Sequence, residues 1–282
     1  MTIILALGSA IAYGLSDFLG GLFSRQSSVW PVAVVVQVSG AAGVLLTSLL
    51  FPGDPSTAHL LWGLASGVGS GAGTAFLYRG LATGRMSVVA PLSAVGSAVL
   101  PVLVGVVTGE RPEVLAWVGI VCALPAIWLV SAGEGDESVT GEHITGGGTG
   151  VGDGILAGLG FGSLFVALGQ VPDGAGLVPA GIGMAASVFV VIGLAVVLRQ
   201  AWLPRERSAA SGVLVGVIAA AATVLFQLAT QSGLLTIASV LSSLYPAFTV
   251  LLAVLVLREH IHRGQAVGLA MAGAAVTLVA LG

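Results

Sequence analysis

The chain has 282 residues, of which 56% are hydrophobic and only 7% are charged, and its formal net charge is −3. Soluble proteins carry about 25% charged residues, so a chain this apolar cannot cover its surface in water and is expected to lie in a lipid bilayer. All of its basic residues are arginine, which excludes the lysine-dependent ATP-binding loop and leaves no basic surface for nucleic acid.

About ten apolar runs follow one another along the chain, and each approaches the roughly 20 residues that a membrane-spanning helix needs. They cover residues 2–23, 31–51, 60–82, 86–108, 113–132, 152–171, 176–198, 209–231, 235–257 and 264–282. The first run lacks a preceding basic segment and continues through Ser16, so it is read as a helix and not as a cleaved signal peptide. The predicted fold class is therefore an all-α integral membrane protein with ten transmembrane helices.

The second half of the sequence resembles the first. Shifting residues 63–133 by 149 positions places them on 212–282 without a gap. The matched pairs include Gly63 with Gly212, Thr74 with Thr223, Ser93 with Ser242 and Glu110 with Glu259. Because each half holds five helices, the second lies upside down in the membrane, as in many secondary transporters. We predict two inverted five-helix repeats, residues 1–132 and 151–282, joined by a glycine-rich acidic linker over residues 133–150.

The arginines are distributed as inverted repeats require. Counted from the start of each half, the arginine-bearing loops change from odd-numbered in the first half to even-numbered in the second. Eight of the nine arginines then share one membrane face, and Arg111 lies on the other. The positive-inside rule makes the arginine-rich face cytoplasmic and places both termini outside.

Three short motifs occur in a recognisable order. They are Ala12–Tyr13–Gly14 in the first span, Ser242–Ser243–Leu244–Tyr245–Pro246 with Ala247–Phe248 in the ninth, and Leu257–Arg258–Glu259 followed by Gln265, Gly268 and Gly273. In these motifs, and in its layout of two times five helices, the chain resembles the EamA-type family of the drug/metabolite transporter superfamily. The departure is Ser97, which stands where the second repeat has Pro246, so helices four and nine are expected to bend differently.

The resemblance implies a ten-helix inverted-repeat transporter of the plasma or inner membrane. Its central cavity would be walled mainly by helices one, three, four, six, eight and nine. The family's substrates range from amino acids and their relatives to drugs and other metabolites. Family members are usually drawn with both termini in the cytoplasm, whereas the arginines of this chain place them outside. The sequence leaves both orientations open.

Asp17 and Tyr13 are the first candidate substrate-binding residues. If the first helix covers residues 2–23, Asp17 lies roughly 7 Å from the membrane midplane. A carboxylate there costs about 2.5–3.5 kcal/mol on insertion scales, and such residues commonly face a cavity and carry protons or ions. Tyr13 lies four residues earlier on the same helix face. The alternatives are that Asp17 reaches the interface near Arg25 and that Tyr13 only packs.

The other candidate substrate-binding residues are Ser93, Phe161, Gln227, Ser242 and Tyr245. Ser93 and Ser242 match in the two repeats and lie near predicted helix breaks at Pro91 and Pro246, and irregular helices commonly line transport sites. Phe161 is the repeat mate of Tyr13. The competing roles are a hydroxyl bonded to its own helix, aromatic packing, and an amide that joins two helices.

Other features are read as structural. Glycines spaced by four residues predict close approach of helix backbones, as at Gly69 with Gly73, Gly158 with Gly162, and Gly264 with Gly268. Glu110 and Glu259 each stand beside an arginine and are expected to form ion pairs at helix ends. No cofactor or metal is predicted, because the single Cys122 and the neighbouring His260 and His262 form no metal-ligand pattern.

The sequence therefore predicts a secondary carrier that works by alternating access. It is expected to export small metabolites or drugs, with protons as the candidate coupling ion and no enzymatic activity. A membrane channel or a non-transporting receptor or scaffold is the alternative, and monomer and homodimer both stay open. The string Gly150–Val151–Gly152–Asp153 is shared with intramembrane aspartyl proteases, but such an enzyme needs two aspartates at one site.

Overall fold

The computed structural model describes residues 1–24, 29–83, 86–131, 150–205, 210–257 and 263–281. All regular structure within these ranges is helical, which confirms the all-α prediction. The helices are α1 (Thr2–Ser24), α2 (Val29–Ser48), α3 (Thr57–Thr83), α4 (Met86–Val107), α5 (Val114–Ser131), α6 (Val151–Gly169), α7 (Val178–Val197), α8 (Gly212–Gln231), α9 (Leu235–Ser242), α10 (Tyr245–Leu257) and α11 (Arg263–Leu281). Apart from Gly150, the predicted linker lies outside the described residues.

Many of these helices have the length and hydropathy of membrane spans. Among the described residues, 6 helices (α1, α2, α3, α6, α7 and α8) are long and apolar enough to cross a bilayer. The apolar stretches in α4, α5, α9 with the start of α10, and α11 are shorter. Large apolar side chains point outward, such as Ile4 at 74% and Phe189 at 75% exposure. Lipid is the solvent that suits such a surface.

The ninth predicted span is interrupted. It consists of α9 and α10, joined through Ser243 and Leu244, so the predicted break near Pro246 is confirmed. The predicted break at Pro91 is wrong, because α4 continues through this residue. Proline removes one backbone hydrogen bond, and a membrane helix tolerates that loss where its neighbours satisfy the freed carbonyl. The fourth and ninth predicted spans therefore have different shapes. Such a difference is expected because Ser97 stands where the second repeat has Pro246.

The face on which α1 begins is called the N-terminal face, and its helix connections pack against one another. They are residues 49–56, 108–113, 170–177 and 232–234. The backbone amide of Asp54 donates to the carbonyl of Gly174 at 2.9 Å. The side chain of Gln231 donates to the carbonyl of Pro172 at 3.1 Å. Connections from both halves of the chain thus close the bundle on this face.

The opposite face is called the arginine-rich face. Within the described residues it carries Arg79, Arg199, Arg205 and Arg263. The sequence places Arg25, Arg85, Arg207 and Arg258 in connections at the same face, and these four lie outside the described residues.

Glycines hold α6 between α3 and α4. A Cβ added to Gly160 would lie 2.7 Å from the Cα of Gly73 in α3. A Cβ added to Gly158 would lie 2.9 Å from the Cα of Gly96 in α4. These contacts join backbone to backbone, as the spacing of small residues predicts. Gly264 is the exception, since no described atom lies within 4 Å of its ideal Cβ position.

Replacing Gly160 with alanine is expected to lower the free energy of unfolding by about 2–3 kcal/mol, because backbone atoms cannot move aside for the new methyl group. Gly152 in the same helix is the matched control, because no described atom lies within 4 Å of its Cβ position. Gly152→Ala should leave stability unchanged or slightly raised. Unfolding in mixed micelles measures both variants, and equal stabilities would contradict the close contact of α3 with α6.

The two halves of the sequence are interleaved in space. Helices α3 and α4 of the first half pack against α6, and α3 also packs against α7. Helices α1 and α2 pack against α8, and α1 also contacts α9 and α10. Helix α5 packs mainly against α11. The helices α3, α4, α6 and α7, and likewise α1, α2, α8, α9 and α10, therefore come from both halves of the sequence. The inverted-repeat relation of the halves stays a prediction.

Candidate functional site

Tyr13 and Tyr245 meet near the break between α9 and α10. Their ring centroids lie 6.4 Å apart in an edge-to-face arrangement. Tyr13 also lies 6.2 Å from the ring of Phe165 in α6. The Thr223 hydroxyl donates to the carbonyl of Ala219 at 3.0 Å, so the Tyr13 hydroxyl donates to Thr223 Oγ1 across 3.1 Å. Aromatic rings and hydroxyls from four helices thus face one another inside the bundle.

Gly14 brings α1 close enough for this arrangement. A Cβ on Gly14 would lie 2.7 Å from both the Tyr245 carbonyl oxygen and the Cβ of Phe248. The hydroxyl of Thr249 donates to the Gly14 carbonyl at 3.1 Å. The Tyr13–Gly14 step of the sequence therefore has a physical reason. The glycine admits the backbone of α10, and the preceding tyrosine is placed beside Tyr245.

Asp17 lies on the interior side of α1. Ile4 and Ile11 are 74% and 49% exposed and mark the lipid-facing side. Asp17 lies about 140° around the helix from Ile4, and about 10 Å along the axis from the end of α1. Its side chain is nevertheless exposed, and among the described residues it has no hydrogen-bond or ion-pair partner. Its carboxylate is close enough to Tyr13 and Tyr245 to interact electrostatically with both.

Ser93 in α4 contributes an unsatisfied hydroxyl to the same region. The residue is fully buried, and its Oγ has no hydrogen bond of normal geometry to any described residue. The hydroxyl of Tyr245 lies near enough to interact with it. Buried hydroxyls are normally paired, and the interaction with Tyr245 joins this one to the group formed by Tyr13, Asp17 and Tyr245. The structure thus brings together Tyr13, Asp17, Ser93 and Tyr245, four of the predicted site residues.

The other three predicted residues already have structural partners. Gln227 is fully buried, and its side-chain nitrogen donates to the carbonyls of Leu168 and Val171 at 3.2 Å each. Ser242 donates to the carbonyl of Ala6 at 3.3 Å. Phe161 packs against Gly73 of α3. Those are the helix-joining and packing roles that compete with ligand binding, and the binding role of all three stays a prediction.

Glu110 has a role that the sequence did not indicate. Its carboxylate accepts hydrogen bonds from the backbone amides of Leu235 at 2.6 Å and Thr236 at 2.8 Å, and also from the Thr236 hydroxyl. These amides form the first turn of α9, and its N-cap residue, Leu234, has no side chain that could cap them. Arg111 instead donates to backbone carbonyls. The expectation of a Glu110–Arg111 ion pair is therefore wrong, because the uncapped helix offers better donors.

Asp153 is also accounted for. It forms an ion pair with Arg79, whose guanidinium carbon lies 4.8 Å from the ring centre of Phe76. Asp153 therefore joins α6 to α3 near the arginine-rich face and does not form a dyad with Asp17. Within the described parts of the chain, no group of three or more His, Cys, Asp or Glu side chains could hold a metal ion.

A groove of about 230 Å³ lies elsewhere, between α3, α4 and α6. It is lined by Trp62, Ala65, Leu100, Val104, Ser163, Val166 and Ala167. The groove is apolar and contains none of the predicted site residues. Its position on the outside of α6 makes it part of the lipid-facing surface.

Apolar spans, an all-helical bundle and an unpaired carboxylate among interior tyrosines define a multi-pass membrane protein with a polar site at membrane depth. The sequence matches the EamA-like transporter family over residues 1–132 and 149–281. The chain belongs to this family, which is part of the drug/metabolite transporter superfamily. The resemblance inferred from the short motifs is confirmed, and the protein is a membrane transporter with small-molecule substrates.

No curated protein matches the chain. A solved crystal structure, described only as that of a protein, is similar with a TM-score of 0.76 and 15% sequence identity. The match covers 99% of this chain and 98% of the other. At this identity the similarity shows a shared fold and carries no information on substrate.

Proposed function

We propose that the protein is a secondary carrier that exports a small metabolite or drug across the plasma or inner membrane by alternating access. Tyr13, Asp17, Ser93 and Tyr245 form the substrate site, and Asp17 exchanges protons with substrate. The observation that carries this proposal is the unpaired carboxylate of Asp17 on the interior side of α1, beside two tyrosines. An unpaired acidic residue at membrane depth commonly marks an ion or substrate pathway.

The burial of side chains along α1 supports access from one face. Ala6 and Ala10, toward the N-terminal face, are 0% exposed, whereas Tyr13 is half-buried and Asp17 is exposed. Phe226, stacked on Phe165 with ring centroids 4.3 Å apart, is fully buried on the same closed side. A site closed toward one face and open toward the other is the arrangement expected of a carrier in one of its two states.

The packing of the helices supports a particular movement. Helices α3, α4, α6 and α7 pack together, as do α1, α2, α8, α9 and α10, and the contacts of α2 with α7 and of α4 with α9 join the two groups. The site lies between these groups, since Ser93 and Phe165 belong to the first while Tyr13, Asp17 and Tyr245 belong to the second. We propose that these mixed groups, and not the two halves of the sequence, move relative to each other across the contacts of α2 with α7 and of α4 with α9.

Purified protein in liposomes tests the carrier function. Saturable counterflow, in which internal substrate drives entry of labelled substrate, is expected of a carrier. A channel gives flux without counterflow, and a receptor or scaffold gives no flux, so either result would remove the proposal. A metabolite-export screen with and without expression identifies the substrate and the direction of transport.

The orientation of the chain is predicted from its arginines, eight of nine on one face. Loops with Arg85 and Arg205 are expected in the cytoplasm. Cysteines introduced at Ser87 and Ser208 in a Cys122→Ala background should therefore resist an impermeant maleimide in intact cells and react after permeabilisation. Ready reaction in intact cells would reverse the assignment and place the termini in the cytoplasm.

A further inference from the structure

Resting on the proposed carrier function, we infer that the substrate is a small monovalent organic cation, either a protonated amine or a quaternary ammonium compound, with an aromatic or apolar body. The charge of Asp17 and the aromatic side chains around it both favour such a ligand.

The site has a net negative character. Asp17 has no cationic partner among the described residues. The one ion pair found within them joins Arg79 to Asp153, so the charge of the Asp17 carboxylate is not compensated there. The helices that contribute to the site, α1, α4, α6, α8, α9 and α10, contain no lysine, arginine or histidine in their sequences. A ligand cation is the partner that such a carboxylate lacks. An anionic ligand would face the charge of Asp17 with no positive side chain among the described residues of the site to offset it.

Aromatic rings complete the recognition of a cation. The rings of Tyr13 and Tyr245 lie 6.4 Å apart, and both tyrosines interact electrostatically with Asp17. Ring faces attract ammonium groups, and quaternary ammonium ligands are typically held by groups of aromatic side chains. The stacked rings of Phe165 and Phe226 provide apolar surface next to Tyr13 for the rest of the ligand.

Among the described residues, the predicted repeats give the site one carboxylate. Tyr13 and its repeat mate Phe161 are 148 positions apart in the sequence. At the same separation, Asp17 falls on Phe165. The second half therefore contributes an aromatic ring where the first contributes a carboxylate. A single carboxylate suits one positive charge on the substrate and leaves a divalent cation without the several oxygen ligands that it requires.

Binding to purified protein in nanodiscs tests the inference with three probes of similar size. They are benzyltrimethylammonium as a fixed cation, 3-phenylpropanol as a neutral compound and 3-phenylpropanoate as an anion. The cation is expected to bind at least tenfold more tightly than the other two probes. Asp17→Asn should weaken binding of the cation about tenfold and leave the neutral probe unchanged, because Tyr13 and Tyr245 remain. Glu113→Gln, which alters an exposed carboxylate on the N-terminal face, is the matched control and should change neither.

Equal affinity for the three probes, tighter binding of the anion, or no binding of the cation would each overturn the inference. Counterflow in liposomes separates this outcome from failure of the carrier function. Counterflow of neutral or anionic compounds alone would retain the carrier and remove the cationic substrate. Binding of the cation that depends on Asp17, without counterflow, would retain the cation site and remove the carrier.

Discussion

Replacing Asp17 with asparagine is expected to abolish uphill transport while the protein still folds. Asparagine has nearly the same shape as aspartate, but it cannot bind and release a proton. Exchange of substrate down its own gradient should persist at concentrations that saturate the weakened site, because the tyrosines and Ser93 remain. Proteoliposomes with an imposed pH gradient measure uphill accumulation, and the same vesicles without the gradient measure exchange.

Glu113→Gln is the control for this experiment, since Glu113 is exposed and lies in the connection after α4, away from the site. It should accumulate substrate as well as the parent protein does. If Asp17→Asn accumulates substrate against a gradient equally well, Asp17 is not the coupling residue. Its exposure would then reflect only the local shape of the bundle.

Replacing Glu110 with alanine is expected to lower the free energy of unfolding by about 2–3 kcal/mol, because donors in the first turn of α9 lose a charged acceptor. Transport should fall as well, since Glu110 ties the connection after α4 to α9 on the closed N-terminal face. Unfolding in mixed micelles and counterflow in liposomes measure the two effects.

Glu113→Ala removes a carboxylate three residues away, at the start of α5, whose side chain accepts no hydrogen bond in the described structure, and it should lower stability less than Glu110→Ala does. Glu110→Gln retains an acceptor oxygen and should lie between the parent and Glu110→Ala. A loss of stability that is the same for Glu110→Ala and Glu113→Ala would mean that the contact with α9 contributes nothing specific.

Local sequence patterns predicted the parts of this fold that depend on local physics. Apolar runs predicted the helices because each membrane span must satisfy its own backbone hydrogen bonds. The proline at position 246 predicted the interruption of the ninth span, and the spacing of Gly69 with Gly73 predicted close contact of α3. The proline at position 91 was misleading, because the tolerance of a helix for proline depends on neighbours that the sequence does not name.

The candidate site was predictable only in part. A carboxylate inside an apolar run, such as Asp17, stands out in any sequence, and Tyr13 shares its helix face. Glu110 was assigned to the wrong partner because its true partners lie 125 and 126 residues away. Gln227 and Ser93 are both polar residues in apolar spans. Only tertiary packing shows that the Gln227 amide nitrogen donates to the carbonyls of Leu168 and Val171, while the Gln227 amide oxygen and the Ser93 hydroxyl have no hydrogen bond of normal geometry to a described residue.

The interleaving of the two halves also bears on how the chain is made. Synthesis proceeds from the amino terminus, so α1 enters the membrane long before α8. Yet the hydroxyls of Ser9, Tyr13 and Ser16 all find their acceptors in α8, at Ala222, Thr223 and Val215. Until α8 is inserted, the first helix presents these groups, with Asp17, to lipid or to temporary partners. A helix that is synthesised well before α8 is therefore among the last to acquire its final neighbours.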